Sequence, residues 1–592
     1  MLKKIIIILE FALCSMLLSI SVHAQQNEAE LFPITEDSKA KDGVLYGEFI
    51  NGKLENSKVF PGTNRNVQIF VPSAYDGKTP ACVCIFQDGG IGFNAHIVVS
   101  NLIASGEIPV MILIASGWGR LEGDVDSESI RANRTFEYDT PSSKYGEYVL
   151  TELLPYVETL KTKDGKPIIL SKDGNDRMIT GASSGAACAF NAAWCNPEEF
   201  PRAFTPIGSF TGLRGSYELS TLVHKMEPKN IRLYLQSGEN DMWTCFGDWW
   251  SANQSMARAL EFAGYDFKYA FGKGSHSGVH ANMIFPEVMR YMWKDYPQEI
   301  KATGKTRNHV LSFVLKENEK FEEVTKLEGA ISLVSYGNED VFVFGKDKSV
   351  VIDKDGKFLN KDFTDRVFAT SPNNIMFVSA PNKEAFIAES IIAEGSAIRK
   401  LSEKIYPSNA VALRNGNFFV MGAKSPNENP SYLWLVEKNG NVIECDSNIK
   451  GARALTVSAN ENWLYTFEYD TRRGFSYKIS KEDNELKYKQ EFFFIHVPEE
   501  ADSAETSSAI CDEHGYTYLA TSFGIQVCDN NGRSAAIIPL PKNVKPISIA
   551  WGGEDMKTLF VLGENGVVYK RKVNAKGASI FHEIPKIRQG AG

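Results

Sequence analysis

The sequence predicts an α/β domain followed by an all-β domain, and three observations carry that reading. From about Leu31 to Pro297 short apolar strands alternate with helix-patterned segments. After about Lys301 the helical period fades, and short strands recur beside Gly, Asn or Asp. The chain of 592 residues is also too long for one hydrophobic core.

Composition narrows the classes. Hydrophobic residues make up 43% and charged residues 23%, a globular balance that excludes collagen-like, coiled-coil and disordered readings. The formal net charge of −9 advertises no basic face, so nucleic acid is not an expected partner. Aromatics at 11% suit β-rich packing or a carbohydrate-facing surface.

The first element, residues 1–24, reads as a signal peptide. Lys3 and Lys4 form a positive start, and an apolar stretch from Ile5 to Ile20 follows, interrupted by Glu10. Val22-His23-Ala24 places small residues where a signal peptidase needs them, so cleavage is expected before Gln25. Glu10 weakens the alternative, an uncleaved anchor. Cys14, preceded by Leu13, sits mid-stretch and fits a lipoprotein cleavage site poorly. The mature chain is therefore expected to be exported, periplasmic or secreted, without a membrane span. Of nine cysteines eight would remain. Cys82 and Cys84 share one face of a strand, and sequence does not pair the thiols.

Next comes the α/β domain, expected over residues 25–300. Val67–Val71, Ala81–Phe86, Val110–Ala115 and Met178–Thr180 read as buried parallel strands. Lys144–Leu160 and Ser251–Ala263 carry helical spacing, with Gly264 where a helix C-cap belongs. Gly181-Ala182-Ser183-Ser184-Gly185 follows a strand and precedes the Ala-rich stretch Ala186–Trp194. This is a G-x-S-x-G elbow in its strand–turn–helix context, which would hold the Ser183 hydroxyl at the sheet edge.

A serine hydroxyl is a poor nucleophile at neutral pH, so a base and an orienting acid are expected downstream. The strand-like run Ile231–Gln236 ends in Ser237-Gly238-Glu239-Asn240-Asp241. Asp241 is the expected acid and Glu239 its nearest rival. In Gly274-Ser275-His276-Ser277-Gly278-Val279-His280, His276 is the expected base. His280 is the alternative, or a substrate contact. Oxyanion donors are expected from the amide of Ser184 and from Asp88 or Gly89 in the turn Gln87-Asp88-Gly89-Gly90. No compact zinc-ligand cluster is present, and no cofactor is expected.

With these motifs in place, the first half resembles the putative esterase family of enterochelin-esterase-like, feruloyl and acetyl-xylan esterases, which are α/β-hydrolases. The matching segments are Asn133–Asp139, Gly181–Gly185, Gly208-Ser209-Phe210, Gly238–Asp241, Gly247–Asn253 and Gly274–His280. The resemblance implies a Ser183–Asp241–His276 triad working through an acyl-enzyme. It also implies substrate-side roles for Arg134, Glu137 and Trp249, with a structural ion pair as the alternative for the first two. Ala186 stands where close relatives often carry a third glycine.

A linker is expected at 301–320 and an all-β domain at 321–585. Strands are expected at Asp340–Phe344, Ser349–Asp353, Asn417–Met421, Leu433–Glu437, Trp463–Phe467, Tyr516–Ala520 and Leu559–Leu562. About 270 residues at roughly 45 per four-stranded blade give about six blades of a β-propeller, with a β-sandwich pair as the alternative. The segments Leu327–Ala330, Pro407–Val411, Ala454–Ser458, Tyr516–Ala520, Gly524–Val527 and Ile549–Gly552 resemble the gluconolactonase and senescence-marker-protein propellers. Such propellers hold a divalent cation on the axis with a Glu, an Asn and an Asp. Here Glu328 falls at the glutamate position and Asn409 at a polar substrate contact. Arg453 and Ser507 fall at the Asn and Asp positions, unless Asp502 or Asp512 supplies the latter. A lost metal site is expected.

The sequence thus points to an exported serine esterase acting on a sugar, plant-cell-wall or other small-molecule ester, a siderophore ester being a narrower version. The alternatives are a metal-dependent lactonase in the propeller and a non-catalytic carbohydrate- or anion-binding protein.

Overall fold

The computed structural model describes residues 28–121, 132–302, 304–336, 339–346, 349–354, 356–360, 366–372, 376–379, 384–388 and 398–580. The expected signal peptide lies outside the described residues. The chain divides into two units between Arg307 and Asn308.

The first unit is built on an eight-stranded sheet. Its strands are β1 (Glu48–Leu54), β2 (Arg65–Val71), β3 (Cys82–Phe86), β4 (Met111–Ser116), β5 (Arg177–Thr180), β6 (Arg202–Pro206), β7 (Arg232–Asn240) and β8 (Asp266–Ser275). The spatial order is β1-β2-β4-β3-β5-β6-β7-β8. Strand β2 runs antiparallel to both neighbours, and the remaining pairs are parallel. This is the α/β-hydrolase arrangement. Every residue of β3 and β4 is buried, as their unbroken apolar runs require of strands covered on both faces.

Helices α1 (Ala95–Ala104), α2 (Arg134–Tyr138), α3 (Ser184–Cys195), α4 (Trp249–Ala263) and α5 (Val279–Trp293) flank the sheet. Cys82, Cys84 and Phe86 do share one face, packed with Val98 and Leu102 of α1 and with Phe285, Val288 and Met289 of α5. Each such buried aliphatic or aromatic side chain contributes ~1.5–3 kcal/mol. None of the eight described cysteines is joined in a disulfide.

The stretch expected as one helix from Lys144 is helical over Lys144–Tyr148, widens to a π turn over Val149–Leu153, and resumes over Leu154–Glu158. The widening lies directly before Pro155, which has no amide for the α-helical ladder. Helix α4 starts on Asp248, whose carboxylate accepts from the amides of Trp250 and Ser251, and ends at Gly264 with φ 82°.

The described residues of the second unit form six four-stranded antiparallel sheets, the blades of a β-propeller rather than a pair of sandwich sheets. In chain order the blades span residues 330–360, 366–400, 406–446, 452–494, 508–538 and 546–572. Their innermost strands are Ala330–Tyr336, Arg366–Thr370, Tyr406–Ala412, Ala452–Val457, Ser508–Cys511 and Pro546–Gly552. The sixth blade takes its outer strand, Glu322–Lys326, from the other end of the unit, paired antiparallel with Val567–Lys572.

The segment 301–320 is not a plain linker. Asn308 caps a helix, His309–Val314, by accepting from the amides of Val310 and Leu311 at 3.0 and 3.1 Å. Val310, Leu311 and Val314 are buried with propeller residues Tyr518, Ile538 and Val561. One and a half turns are too short for a helical period to declare itself. No described helix is long and apolar enough to cross a membrane.

Candidate active site

The elbow between β5 and α3 holds Ser183 at φ 61° and ψ −123°, a backbone conformation that costs about 1–3 kcal/mol for a residue with a side chain. The flanking glycines make the turn possible. A Cβ on Gly181 would lie 2.4 Å from Gln87 Oε1 and 2.8 Å from the Gly185 backbone, and one on Gly185 would lie 3.1 Å from Asp88 Oδ2. Ala186 is fully buried on α3, and the elbow forms with it in place.

Ser183, His276 and Asp241 are hydrogen-bonded in line. His276 Nε2 lies 2.9 Å from Ser183 Oγ, and its Nδ1 lies 2.5 Å from Asp241 Oδ1. The Asp241 side chain is sealed from solvent, while that of His276 keeps partial exposure. Asp241 is further fixed by the Met242 amide on Oδ1 at 2.7 Å and the Ser237 hydroxyl on Oδ2 at 3.1 Å. Its rival Glu239 is exposed, at the C-terminal end of strand β7.

Two supports had no role assigned to them from the sequence. Ser209 Oγ lies 3.2 Å from Ser183 Oγ and accepts from the Trp249 indole N–H at 2.9 Å. Glu28 accepts from the Ser275 amide and the Ser277 hydroxyl, the two residues either side of His276. Burial opposes its ionisation, but these donors outweigh it and hold the Glu28 carboxyl below its ordinary range.

Trp249 is not a substrate-facing side chain. It is 1% exposed and packs edge-on to His276, so it supports the site from below. His280 is likewise withdrawn. It is buried, stacked on Phe32 at 4.1 Å, and its Nδ1 lies 3.3 Å from Gln236 Nε2. Burial lowers its pKa, and its ring is engaged away from Ser183.

Glu137 is also a structural residue. Its carboxylate takes Arg65 Nη1 at 2.6 Å and Nη2 at 3.1 Å, and both side chains are fully buried. The Gly119 amide donates to both of its oxygens at 3.2 Å. Breaking such a pair typically costs about 3–5 kcal/mol. Arg134 pairs instead with Asp88, Nε to Oδ1 at 2.7 Å and Nη2 to Oδ2 at 3.0 Å, and stays partly exposed.

The candidate oxyanion donors separate on geometry. The Asp88 amide donates to the Tyr138 hydroxyl at 3.2 Å. The Gly89 amide has no acceptor among the described residues. The Ser184 amide opens α3 and so lies outside the helix's own ladder. Behind Ser184, Asp139 is fully buried, and neither carboxylate oxygen meets a donor in good geometry. Burial outweighs the nearby Ser184 hydroxyl and Arg134 charge and pushes its carboxyl up to about 6.

On the propeller axis the residues do not fit a divalent cation. Glu328 is exposed. The Asn409 side chain donates to the Arg453 carbonyl at 2.8 Å and accepts from the Ala410 amide at 2.9 Å. Arg453 is exposed, with its guanidinium 4.1 Å from the Tyr469 ring centre. Ser507 bonds to the Ala520 carbonyl. Neither alternative acid repairs the set. Asp502 is exposed, and Asp512 is buried with its oxygens taken by the Tyr518 hydroxyl and the amides of His514 and Tyr516. Among the described residues no three His, Cys, Asp or Glu side chains cluster as metal ligands.

Residues 57–276 match the family model described as putative esterase, and residues 315–564 match the SMP-30/Gluconolactonase/LRE-like region. The first unit therefore carries an esterase-type hydrolase region, and the second a gluconolactonase-like propeller. Among solved structures, a gluconolactonase from Xanthomonas campestris is 12% identical with TM-score 0.38, over 45% of this chain and 92% of that one. A ferulic acid esterase is 16% identical with TM-score 0.31, over 42% of this chain and 99% of that one. The enterobactin esterase of Shigella flexneri is 17% identical with TM-score 0.32, over 43% of this chain and 61% of that one. No curated protein matches the chain.

Proposed function

We propose that the chain is an exported serine esterase that hydrolyses a small-molecule carboxylic ester through an acyl-enzyme. The observation that carries the reading is the line of contacts from Ser183 through His276 to a sealed Asp241.

In this mechanism His276 Nε2 takes the Ser183 hydroxyl proton as Oγ attacks the ester carbonyl. Asp241 fixes the tautomer that leaves Nε2 free and stabilises the imidazolium. The carbonyl oxygen gains the negative charge and is met by the amides of Ser184 and Gly89. His276 then gives its proton to the departing alkoxide, which leaves as the alcohol. A water molecule, deprotonated by His276, attacks the acyl-serine and releases the carboxylic acid with Ser183 restored.

The substrate class is supported by exposed aromatic rings around the site. Trp243, 87% exposed, and Phe246, 48% exposed, stand on the hairpin that follows Asp241, and Phe136 is exposed beside Arg134. Such rings offer flat faces for a sugar or an aromatic acyl group. Export rests on the signal-peptide pattern of residues 1–24.

The test is labelling of the purified chain with a fluorophosphonate, with the modified residue located by mass spectrometry, beside p-nitrophenyl acetate hydrolysis by wild type and Ser183→Ala. Labelling at Ser183 and a loss of at least about 10³-fold in the variant are expected. Hydrolysis by Ser183→Ala near the wild-type rate would overturn the assignment.

A further inference from the structure

The segment Ile207-Gly208-Ser209-Phe210, which follows β6, packs against the elbow. The Ser209 amide donates to the Ser183 carbonyl at 3.2 Å, and the Ser183 amide donates to the Pro206 carbonyl at 3.2 Å. Asn253 of α4, fully buried, donates to the Gly208 carbonyl at 2.8 Å and to the Trp249 carbonyl at 2.9 Å. A Cβ on Gly208 would lie 2.6 Å from the Phe210 ring, so the chain passes there only without a side chain. Held in this way, the Ser209 side chain is fully buried with two partners in reach among the described residues. They are Trp249 Nε1 at 2.9 Å and Ser183 Oγ at 3.2 Å.

The direction of each bond follows from counting protons. An indole N–H can only donate, so Ser209 Oγ accepts from Trp249. His276 Nδ1 faces the Asp241 carboxylate, an acceptor, so the ring proton sits on Nδ1 and Nε2 is left to accept. The single proton of Ser183 therefore points to Nε2 at 2.9 Å, and Ser183 Oγ has none to offer Ser209. The single proton of Ser209 has one acceptor left, which is Ser183 Oγ. Trp249, Ser209, Ser183 and His276 thus form a row in which every donor points toward the base, and each bond polarises the next.

At 3.2 Å the contact between the two serines is long, since hydroxyl pairs usually lie at about 2.7–2.8 Å. It is weak while Ser183 is neutral. It can shorten when Oγ turns negative, because a hydrogen bond to an ionised acceptor is shorter and stronger. Oγ carries negative charge twice in the cycle, once as it loses its proton and attacks, and again as it leaves the acyl group. An interaction that is stronger at those moments than at rest is the kind that raises kcat.

We propose that Ser209 is a further catalytic residue, whose hydroxyl donates to Ser183 Oγ as that oxygen yields its proton to His276 and again as it departs from the acyl group. Ser209 keeps its own proton throughout, and no bond to it forms or breaks. Trp249 is a positioning residue that acts through Ser209, by fixing where the Ser209 proton points. The inference rests on Ser183 being the nucleophile.

The test is steady-state hydrolysis of p-nitrophenyl acetate, with the rate of fluorophosphonate labelling at Ser183 and the melting temperature, for the full chain and its variants. These are Ser183→Ala, Ser209→Ala, Trp249→Phe and the double variant of the last two. Ser209→Ala should lower kcat by about 10–100-fold with KM changed less than about twofold, somewhat below the loss of an oxyanion donor because the charge on Oγ is partial. Labelling should slow in parallel. Trp249→Phe lets the Ser209 hydroxyl turn and should lower kcat by about threefold to tenfold. The double variant should be no slower than Ser209→Ala, because Trp249 then has nothing to act on. It also removes both partners of a buried bond, so it should melt no lower than Trp249→Phe. It carries the test if Ser209→Ala, which strands the indole N–H, fails to fold. A packing role would show the opposite pattern, with activity recovering alongside stability. The proposal is overturned if Ser183→Ala is inactive while Ser209→Ala or the double variant hydrolyses at the wild-type rate, or if the losses of the two single variants multiply. Wild-type activity in Ser183→Ala would instead overturn the nucleophile itself, and this proposal with it.

Discussion

Arg134 holds Asp88 through two parallel N–H···O bonds, Nε to Oδ1 at 2.7 Å and Nη2 to Oδ2 at 3.0 Å. The pair ties helix α2 to the turn after β3, and Asp88 lies over Gly185 of the elbow. It therefore fixes the position of the Gly89 amide, one residue further on. Arg134→Lys keeps the charge but not the fork. A fall of about tenfold in kcat, with KM changed much less, is expected from the misplaced donor. Steady-state kinetics on p-nitrophenyl acetate decide it, and a variant indistinguishable from wild type would remove Asp88 and Arg134 from the working site.

Asp241 and Glu239 lie two residues apart and differ completely in surroundings. Asp241→Asn should lower kcat by roughly 10³–10⁴ because the amide favours the wrong His276 tautomer. Glu239→Gln should stay within about twofold, as a solvated surface change does. A large loss in Glu239→Gln would reverse the assignment of the acid.

Glu28 acts through the two residues flanking His276. Glu28→Gln weakens both contacts, and a loss of kcat of about tenfold is expected while fluorophosphonate labelling of Ser183 slows in parallel. The folded-state pKa of Glu28 lies below its ordinary value. Its ionised form therefore stabilises the native loop at neutral pH, and that contribution disappears as pH falls through the lowered pKa. Wild type should lose thermal stability on acidification more steeply than Glu28→Gln. Parallel melting curves from pH 7 to pH 3 would contradict the clamp.

Asp139 has the opposite sign. Its carboxyl rises from an ordinary 3.8 to about 6, so the native state holds the proton more tightly than the unfolded chain. Stability is greatest in acid and declines as pH climbs from about 4 to about 6, by about 3 kcal/mol at most. Asp139→Asn removes that decline, so its melting transition at pH 7.5 should lie above that of wild type and the two should converge near pH 4. Convergence at neutral pH instead would mean that the buried carboxyl titrates normally.

Local motifs were the legible part of this chain. Gly181–Gly185 announces the elbow because its steric demands fall on residues adjacent in sequence. The change from alternating strand and helix to strands alone announces two folds, because burial period is a local property. Supports acting across long separations left no such mark. Glu28 reaches the His276 loop, Ser209 links Trp249 to Ser183, and Arg65 claims Glu137, all through partners far away in the chain. Trp249 and Glu137 were readable as residue types near a motif, while their burial depended on tertiary packing.

The strand Glu322–Lys326 pairs with Val567–Lys572 across about 240 residues of sequence. A ribosome or an export channel releases the first of these partners just past the middle of the chain and the second near its end, so the propeller cannot close until nearly the whole chain has emerged. Until then five blades wait with unsealed edges, an interval during which strand edges are open to wrong partners. The esterase unit has all its strands before residue 276 and carries no such delay. A chain cut short before residue 558 would lack the last two strands of the sixth blade, leaving an active-site unit attached to a ring with no seam.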